Sequence, residues 1–346
     1  MRVCVATVQV PFISGGAEAM TAGLCRALGA AGHQVERVTM PFRFGPPSEV
    51  LRGMDAWEHE DFESFQCGSI DEVVALKFPA FYLHHPSKRV WLMHQHRSIY
   101  ELWNTPFGDS SSSPDHVRLR DEVMRRDVQA LQGARKVFTI SPTVTERLRH
   151  FNQVESEPLF QPPPNAGLYV AGEPWPYVFV PSRLEAVKRQ ELVIRAMVQV
   201  AQPVFAVVAG EGGQSEALRS VVETLGLQHR VKFVGNLSDA DMRRYYANAL
   251  CVFFGPLQED YGFVALEAML AARPLITCTD SGCPALLVRH GETGYITEPE
   301  PGAIADAINT LWSELSRSRE MGRAARQAYD AMGLSWDRVV ATLLAA

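Results

Sequence analysis

The chain of 346 residues is longer than one hydrophobic core usually supports, so two domains are expected. Hydrophobic residues make up 47% of it, an ordinary value for a globular protein. The formal charge is −6 and no long basic run occurs, which argues against a nucleic-acid partner.

The apolar runs and the cysteines predict a cytoplasmic protein. No apolar run approaches about 18 residues, so no membrane-spanning helix is expected, and the N-terminus begins with a strand-like run that lacks a signal-peptide layout. A peripheral contact with the inner face of the membrane stays open. The cysteines form no C-x-x-C pair and mostly lie in apolar runs, as reduced core thiols do. They are Cys4, Cys25, Cys67, Cys251, Cys278 and Cys283.

The first residues predict the opening of a nucleotide-binding fold. Residues 3–8 form an apolar strand, which a glycine turn, an amphipathic helix and a second strand follow. Gly15 and Gly16 in the turn would let a phosphate or sugar approach the backbone at the helix start. A purely structural turn is the alternative. A dinucleotide site is not favoured, because G-x-G-x-x-G is absent.

Two histidines follow a strand that is predicted at residues 89–93. Residues 70–76 read as a helix or a strand edge, and residues 89–93 as a strand. His94 comes directly after that strand, at its carboxyl end, where ligands bind in open α/β sheets. A hydrogen-bonded structural histidine is the alternative. His94 and His96 alone do not make a metal site, because no third ligand is evident.

The end of the first half contains a helix signal and a stiff segment. A charged helix is predicted over residues 115–133, and a second helix follows Ser141, a plausible N-cap with Pro142 at the first helical position. Residues 161–169 are proline-rich and nonhelical. The domain boundary is therefore placed between residues 160 and 175.

Two cations follow the first strand of the second half, which covers residues 177–180. Arg183 and Lys188 lie between this strand and an amphipathic helix. A diphosphate carries two or more negative charges, which paired cations stabilise. Two such cations usually lie on a solvated surface, but their position between a strand and a helix favours a ligand site.

Residues 250–278 organise the second half. They read as a buried strand, a loop, a helix that begins near Gly262, and another buried strand. Glu259 lies in the loop at the carboxyl end of the first strand and is predicted to accept hydroxyl hydrogen bonds. Glu267 lies roughly 7 Å further along the helix, in an apolar segment where a carboxylate needs a partner. An ordinary loop acid and a solvent-facing glutamate are the alternatives.

The string E-D-Y-G-F-V-A-L-E-A-M resembles the signature of family 4 of the retaining glycosyltransferases, also called glycosyl transferases group 1. The resemblance covers nearly the whole chain and is strongest from 177 to 297. It implies the α/β GT-B fold, with two Rossmann-like doubly wound domains that face a cleft. The implied divisions are an acceptor-side domain at 1–165, a nucleotide-sugar-binding domain at 166–325, and a helix at 326–346 that crosses back to the first domain.

The resemblance also implies roles for particular residues. Catalysis is assigned to Glu259, His94, Arg183 and Lys188. The implied donor-binding residues are Gly15, Gly16, Arg183, Lys188, Asn236, Leu237, Glu259, Tyr261, Gly262, Phe263 and Glu267. Glu18 neighbours the glycine pair, Leu237 flanks the base, and Glu267 accepts from the ribose. Cys283 and Leu286 stand where the family usually has a glycine and a glutamate, so a changed sugar or acceptor contact is expected.

The implied activity is transfer of a hexose, with retention, from a UDP- or GDP-sugar to a glycan, lipid-linked or small-molecule acceptor. The expected setting is polysaccharide or glycoconjugate biosynthesis, with neither metal nor cofactor. One alternative is another GT-B enzyme, a nucleotide-sugar epimerase or a phosphorylase. The other is a non-catalytic GT-B subunit that binds a glycan or a partner.

Overall fold

The computed structural model describes residues 1–12, 15–63 and 68–345, and it divides the chain into two compact units. The first unit comprises Met1–Pro164 and Ser335–Ala346, and the second comprises Asn165–Leu334. The division falls inside the proline-rich run. The segment that returns to the first unit begins at Ser335 and not at 326, because the residues before it continue a helix of the second unit.

The first unit contains a six-stranded sheet in which every pair of neighbours is parallel. Its strands are β1 (Arg2–Gln9), β2 (Gln34–Pro41), β3 (Glu72–Ala75), β4 (Lys88–Leu92), β5 (Lys136–Thr139) and β6 (Glu157–Pro158), in the order β2-β1-β3-β4-β5-β6. The segment at 70–76 contains β3, so it is a strand and not a helix, and it pairs with β1 and β4 inside the sheet. All four residues of β3 are buried, so a continuous apolar run marks an internal parallel strand.

The described part of the first half of the chain contains four α-helices, and the start of the last one is the one that a capping residue predicted. They are α1 (Gly16–Ala30), α2 (Pro47–Glu58), α3 (Pro114–Gln132) and α4 (Pro142–Asn152). The Ser141 hydroxyl accepts a hydrogen bond from the backbone N–H of Val144, which confirms the predicted N-cap of α4. Pro142 occupies the first turn, where its missing N–H costs no helical hydrogen bond.

The second unit contains another fully parallel six-stranded sheet. Its strands are β7 (Tyr177–Pro181), β8 (Phe205–Ala209), β9 (Val231–Gly235), β10 (Cys251–Phe253), β11 (Leu275–Cys278) and β12 (Gly294–Thr297), in the order β12-β11-β10-β7-β8-β9. The connecting helices are α5 (Gln190–Ala196), α6 (Ser215–Thr224), α7 (Asp239–Asn248), α8 (Phe263–Leu270), α9 (Cys283–Leu287), α10 (Pro301–Ser313) and α11 (Leu315–Ala331). This is the Rossmann strand order. From β7 the strands are added towards one edge of the sheet, and from β10 they are added towards the other edge, so the order switches between these two strands.

The cores of both units are built from these buried strands. Every residue of β4, β7 and β11 is buried, as expected when both faces of a parallel sheet are covered. The five cysteines that the structure describes are free thiols and four of them are buried, whereas Cys67 lies outside the described residues. None of the described helices is both long and apolar enough to cross a membrane.

The last helix, α12 (Trp336–Leu343), packs into the first unit through a glycine on α1. A Cβ atom on Gly23 would lie 2.2 Å from the indole of Trp336, so only glycine leaves room for this ring. The Trp336 ring also meets Trp91 of β4 edge-on, with 6.3 Å between centroids. Nearby, the buried Arg89 donates a hydrogen bond of 2.7 Å to the backbone oxygen of Ala345.

The variant Gly23→Ala should destabilise the first unit, by about 2 kcal/mol or more, because the added methyl group overlaps the indole of Trp336. Gly29→Ala is the matched control on the same helix, since nothing lies within 4 Å of the added atom. A helical glycine replaced by alanine should gain up to about 1 kcal/mol. Denaturant unfolding of both variants measures the difference, and equal stabilities would contradict this packing.

Candidate functional site in the second unit

The candidate site lies where β7 and β10 end side by side. The chain leaves β7 towards β8 on one side of the sheet and leaves β10 towards β11 on the other. The loops after the two strands therefore separate and leave a crevice at the carboxyl ends, which is where open α/β sheets bind ligands. Lys188 ends a short 3-10 turn in the loop after β7, and Glu259 lies in the loop after β10.

Lys188 and Glu259 form an ion pair in this crevice. The Lys188 Nζ atom lies 2.6 Å from Glu259 Oε2, although 71 positions separate the residues. The two side chains are 13% and 15% exposed, so the pair is largely shielded and can still be reached by a ligand. The Lys188 ammonium also lies 5.5 Å from the centre of the Phe254 ring. The sequence singled out each residue separately, and the structure shows that the two side chains are in contact.

The backbone of Glu259 is held by the loop after β11. Its N–H donates to the Ser281 oxygen at 3.0 Å, and its own oxygen accepts from the Cys283 N–H at 3.0 Å. Between these two bonds lies Gly282, with φ of 69° and ψ of −129°. A Cβ atom there would lie 2.5 Å from the Glu259 oxygen. Glycine is therefore required for this close approach.

The helix after Glu259 begins as predicted. Gly262, with φ of 79°, precedes α8, and a Cβ atom there would lie 2.8 Å from the Pro284 ring. Tyr261 is buried and meets the ring of Phe263 edge-on, with 5.0 Å between centroids. These three predicted residues shape the wall beside Glu259.

Glu267 has partners that sequence reasoning missed. The Tyr246 hydroxyl donates a hydrogen bond of 2.6 Å to Glu267 Oε2, and the Tyr169 hydroxyl bonds the same carboxyl group. Burial raises the pKa of the Glu267 carboxyl, and the two tyrosine hydrogen bonds oppose that rise. The sequence indicated only that this carboxylate needs a partner. Neither tyrosine has a spacing that would identify it.

Arg183 lies on the same loop as Lys188 and differs from it in exposure. Its side chain is exposed, and no ion pair involves it within the part of the chain that the structure describes. Its backbone oxygen accepts a 2.8 Å hydrogen bond from the buried Gln190 amide, which anchors the loop to the start of α5. Arg183 therefore presents a positive charge that no carboxylate of the described chain offsets.

The turn after β9 carries the residues predicted to meet a base. Gly235 adopts φ of 67°, and its oxygen accepts from the Gly210 N–H at 2.8 Å. The Asn236 amide donates to Glu211 Oε2 at 2.9 Å, and Leu237 is half-buried. Glu211, which follows β8, is a neighbour that sequence reasoning did not single out.

The remaining candidates, Gly15, Gly16 and His94, lie in the first unit. Gly15 caps α1, and its N–H donates to Glu18 Oε2 at 2.8 Å. The Glu18 side chain thus accepts from the N-cap backbone N–H, which is one of the two hydrogen bonds of a capping box. His94 is half-buried, with Nδ1 2.7 Å from the Gln95 oxygen.

A buried polar network supports the loop that carries the candidate histidine. The Gln95 amide bonds Asn152, whose own amide donates to the Tyr100 hydroxyl at 3.1 Å. Tyr100 and Tyr82 each donate a hydrogen bond of 2.6 Å to Asp127, which is fully buried on α3. Burial raises the pKa of Asp127 to about 7, and the two tyrosine hydrogen bonds oppose the rise. No local pattern in the sequence indicated this network.

Metal-ligating side chains do not cluster in the described part of the chain. Among residues 1–12, 15–63 and 68–345, no three His, Cys, Asp or Glu side chains are placed to hold an ion. His96 is buried beside the rings of Phe44 and Phe78, and burial lowers the pKa of its imidazole to about 4.

Comparison with known proteins points to one family for the second unit. Residues 170–328 match the family described as Glycosyl transferases group 1. An uncharacterized glycosyltransferase of Methanocaldococcus jannaschii is 29% identical over 161 residues, which are 45% of this chain and 40% of that protein. D-inositol 3-phosphate glycosyltransferase of Mycobacterium bovis is 31% identical over 170 residues, or 47% and 35% of the two chains. The chain thus spans two fifths or less of the length of these curated relatives.

Solved structures match over the whole chain and show the fold. Sucrose-phosphate synthase from Thermosynechococcus elongatus has a TM-score of 0.77 at 18% identity, over 99% of this chain and 96% of that one. HepE of Anabaena, solved with UDP and glucose, has a TM-score of 0.72 at 19% identity, over 99% of both chains. WaaG, a glycosyltransferase involved in lipopolysaccharide biosynthesis, has a TM-score of 0.69 at 15% identity, over 100% of both. The predicted GT-B fold class is confirmed.

The variant Gly282→Ala should be about 2 kcal/mol less stable than Gly291→Ala. Both replacements place a side chain at positive φ, and the ψ of −129° at Gly282 adds strain there because it lies outside the left-handed helical region. Only at Gly282 does the new atom overlap the backbone of Glu259, whereas nothing lies within 4 Å of position 291. Denaturant unfolding of the two variants measures the difference, and equal losses would show that Glu259 is not held in this way.

The variant Asp127→Asn should alter how stability depends on pH. The pKa of Asp127 rises from 3.8 in the unfolded chain to about 7, so the folded state keeps a proton that the unfolded state has released. The resulting stability is fully present below pH 3.8 and is lost as the pH rises through about 7. Between about pH 5 and pH 8 the parent should lose about 3 kcal/mol relative to the variant.

Denaturant unfolding of parent and variant at these two pH values tests this expectation. The contribution of His96, which has the opposite sign, is common to both proteins and cancels in the comparison. A difference between parent and variant that is the same at both pH values would contradict the expectation.

Proposed function

We propose that this chain is a retaining glycosyltransferase that moves a hexose from a nucleotide diphosphate sugar to an acceptor hydroxyl. The observation that carries the proposal is the Lys188–Glu259 pair at the point where β7 and β10 diverge. The match of residues 170–328 to the glycosyl transferases supports it, as do the relatives named for the same chemistry. The HepE structures with UDP and with UDP-glucose support the class of donor.

The two cations after β7 are proposed to stabilise the leaving diphosphate. Arg183 is exposed and can form a forked contact with phosphate oxygens. Lys188 carries three N–H donors, of which Glu259 uses one. The developing negative charge on the diphosphate would be stabilised by positive charges already in place. Protein cations then take the place of a metal ion.

Glu259 is proposed to hold hydroxyl groups of the hexose. Its Oε2 atom bonds Lys188, and its other lone pairs can accept from sugar hydroxyls, which would orient the anomeric carbon. The bond from the anomeric carbon to the phosphate oxygen breaks, and a bond to the acceptor oxygen forms on the same face. The acceptor proton passes to the departing phosphate. This route needs no covalent nucleophile.

The nucleoside is proposed to bind between α8 and the turn after β9. Glu267 would accept from ribose hydroxyls while Tyr246 and Tyr169 hold its carboxyl group in place. The turn at 235–237 would meet a uracil or guanine base, with Leu237 against the ring. Gly15, Gly16 and His94 keep the donor-side roles that the resemblance implies. The acceptor is proposed to be a glycan or a lipid-linked sugar in polysaccharide or glycoconjugate biosynthesis.

A thermal-shift panel with UDP, GDP, ADP and dTDP, with and without EDTA, tests donor binding. A nucleotide at a hundred times its dissociation constant contributes about 2.7 kcal/mol, enough to raise the melting temperature by several degrees. One nucleotide should respond, and EDTA should not change that response. A response from none of them would favour a non-catalytic subunit.

Product analysis separates transfer from the other chemistries. With donor and acceptor, NMR of the product should show the anomeric configuration of the donor. Formation of an epimeric nucleotide sugar without acceptor would indicate an epimerase. Formation of a sugar phosphate when inorganic phosphate is added would indicate a phosphorylase.

The variant Glu259→Gln should lower kcat by about 100-fold and change nucleotide affinity by less than about threefold. Glutamine keeps the size of the side chain but removes the charge that pairs with Lys188 and orients the sugar. Glu292→Gln, an exposed acid of the second unit paired with Arg289, is the control. Steady-state kinetics and calorimetric nucleotide binding measure both quantities. A near-normal kcat for Glu259→Gln would remove Glu259 from the mechanism.

A further inference from the structure

We infer that Arg189 is a positioning residue that sets the geometry of the Lys188–Glu259 pair. It does so by joining the three loops that follow β7, β10 and β11. The inference deepens the proposed function and rests on it. Arg189 directly follows Lys188, and its side chain is only 15% exposed.

The Arg189 guanidinium bonds both neighbouring loops. Its Nε donates to the Gly255 oxygen at 2.8 Å, and Nη2 donates to the Pro256 oxygen at 3.0 Å, both in the loop that leads to Glu259. Its two terminal nitrogens also donate hydrogen bonds of 2.7 Å and 2.5 Å to the two carboxylate oxygens of Asp280, in the loop after β11. A planar fork with fixed donor directions suits such a junction.

These contacts distinguish Arg189 from the cations that are proposed to bind diphosphate. A guanidinium has five N–H donors, and four hydrogen bonds are already formed here. The charge is also neutralised by the bidentate carboxylate of Asp280. Arg189 therefore has little left to offer a ligand, in contrast to the exposed Arg183. Its action must pass through the loops that it joins.

The backbone supports the same conclusion. Arg189 adopts φ of 52°, and Gln258, which directly precedes Glu259, adopts φ of 50°. Each member of the ion pair is thus adjacent in sequence to a non-glycine residue in the left-handed region. Such residues persist only where surrounding contacts hold them, and they cluster at functional sites.

Backbone hydrogen bonds reinforce the same three loops. The Leu257 N–H donates to the Val187 oxygen at 2.8 Å, and the Gln258 N–H donates to the Asp280 oxygen at 2.9 Å. These bonds join the residue before Lys188 and the residues before Glu259 into one frame. The guanidinium is the side chain that lies at the centre of this frame. Its removal should let the Lys188 and Glu259 loops shift relative to each other.

The variant Arg189→Gly provides the test, because glycine adopts φ of 52° without strain while the clamp is lost. We expect kcat to fall about 10- to 100-fold with little change in the donor KM, and the melting temperature to fall because Asp280 and two backbone oxygens lose their partner. Arg189→Lys should recover only part of kcat, because one ammonium cannot bond Asp280 and both carbonyls at once. Arg195→Ala is the control on α5, where an exposed arginine pairs with Glu191, and it should behave as the parent.

Two further measurements separate positioning from plain stability. In a Glu259→Gln background, Arg189→Gly should reduce kcat by less than about threefold, because the residue it positions is already impaired. A crystal structure of Arg189→Gly should show Lys188 Nζ and Glu259 Oε2 beyond hydrogen-bond distance. An unchanged kcat, full additivity with Glu259→Gln, or an intact 2.6 Å contact would overturn the inference.

The same experiments distinguish failure of this inference from failure of the proposed function. A parent that transfers sugar while Arg189→Gly transfers equally well would refute only the positioning role. A parent that turns over no nucleotide sugar would refute the proposed function. In that event the Lys188–Glu259 distance in the variant crystal alone decides whether Arg189 positions the pair.

Discussion

The pairing of β7 with β10 is the constraint on which the site depends. Val178 and Phe179 of β7 lie opposite Cys251 and Val252 of β10 in a parallel ladder. Two strands separated by some seventy residues of chain thereby end at the same place, and their loops supply Lys188 and Glu259. A strand order that did not make β7 and β10 neighbours would leave these two charges apart. The crevice is thus a consequence of topology before it is a matter of side-chain chemistry.

The charges around this crevice are arranged in ion pairs, with the exposed Arg183 on the same loop as Lys188. Lys188 is matched by Glu259 and Arg189 by Asp280, and both pairs are largely shielded from water. Partly buried ion pairs contribute little net stability, because desolvation offsets their attraction. Their presence here is better explained by the positions that they set. Arg183 is exposed and is proposed to meet the diphosphate of the donor.

Several backbone conformations of low population occur at the same place. Gly262 and Gly282 have positive φ, and a side chain at either would collide with the residues around Glu259. Arg189 and Gln258 reach the same region of φ without being glycine. The loops after β7, β10 and β11 are therefore shaped by local constraint as well as by the sheet. Such a frame suits a site that must hold a charged pair in one geometry.

The sequence by itself determined the features that depend on neighbours along the chain. Continuous apolar runs indicated the parallel strands, Ser141 and Pro142 indicated a helix start, and the string from Glu259 to Glu267 indicated the loop and α8. Each of these signals involves only residues that are close together along the chain.

Only the tertiary structure decided which distant side chains meet. The structure shows that β3 lies inside the sheet and that the segment returning to the first unit begins at Ser335. It also shows that Tyr169 and Tyr246 are the partners of Glu267. The Arg189–Asp280 clamp, with 91 positions between its members, belongs to the same class. Contacts of this kind have no period or spacing along the chain, because strand order and not sequence separation brings the residues together.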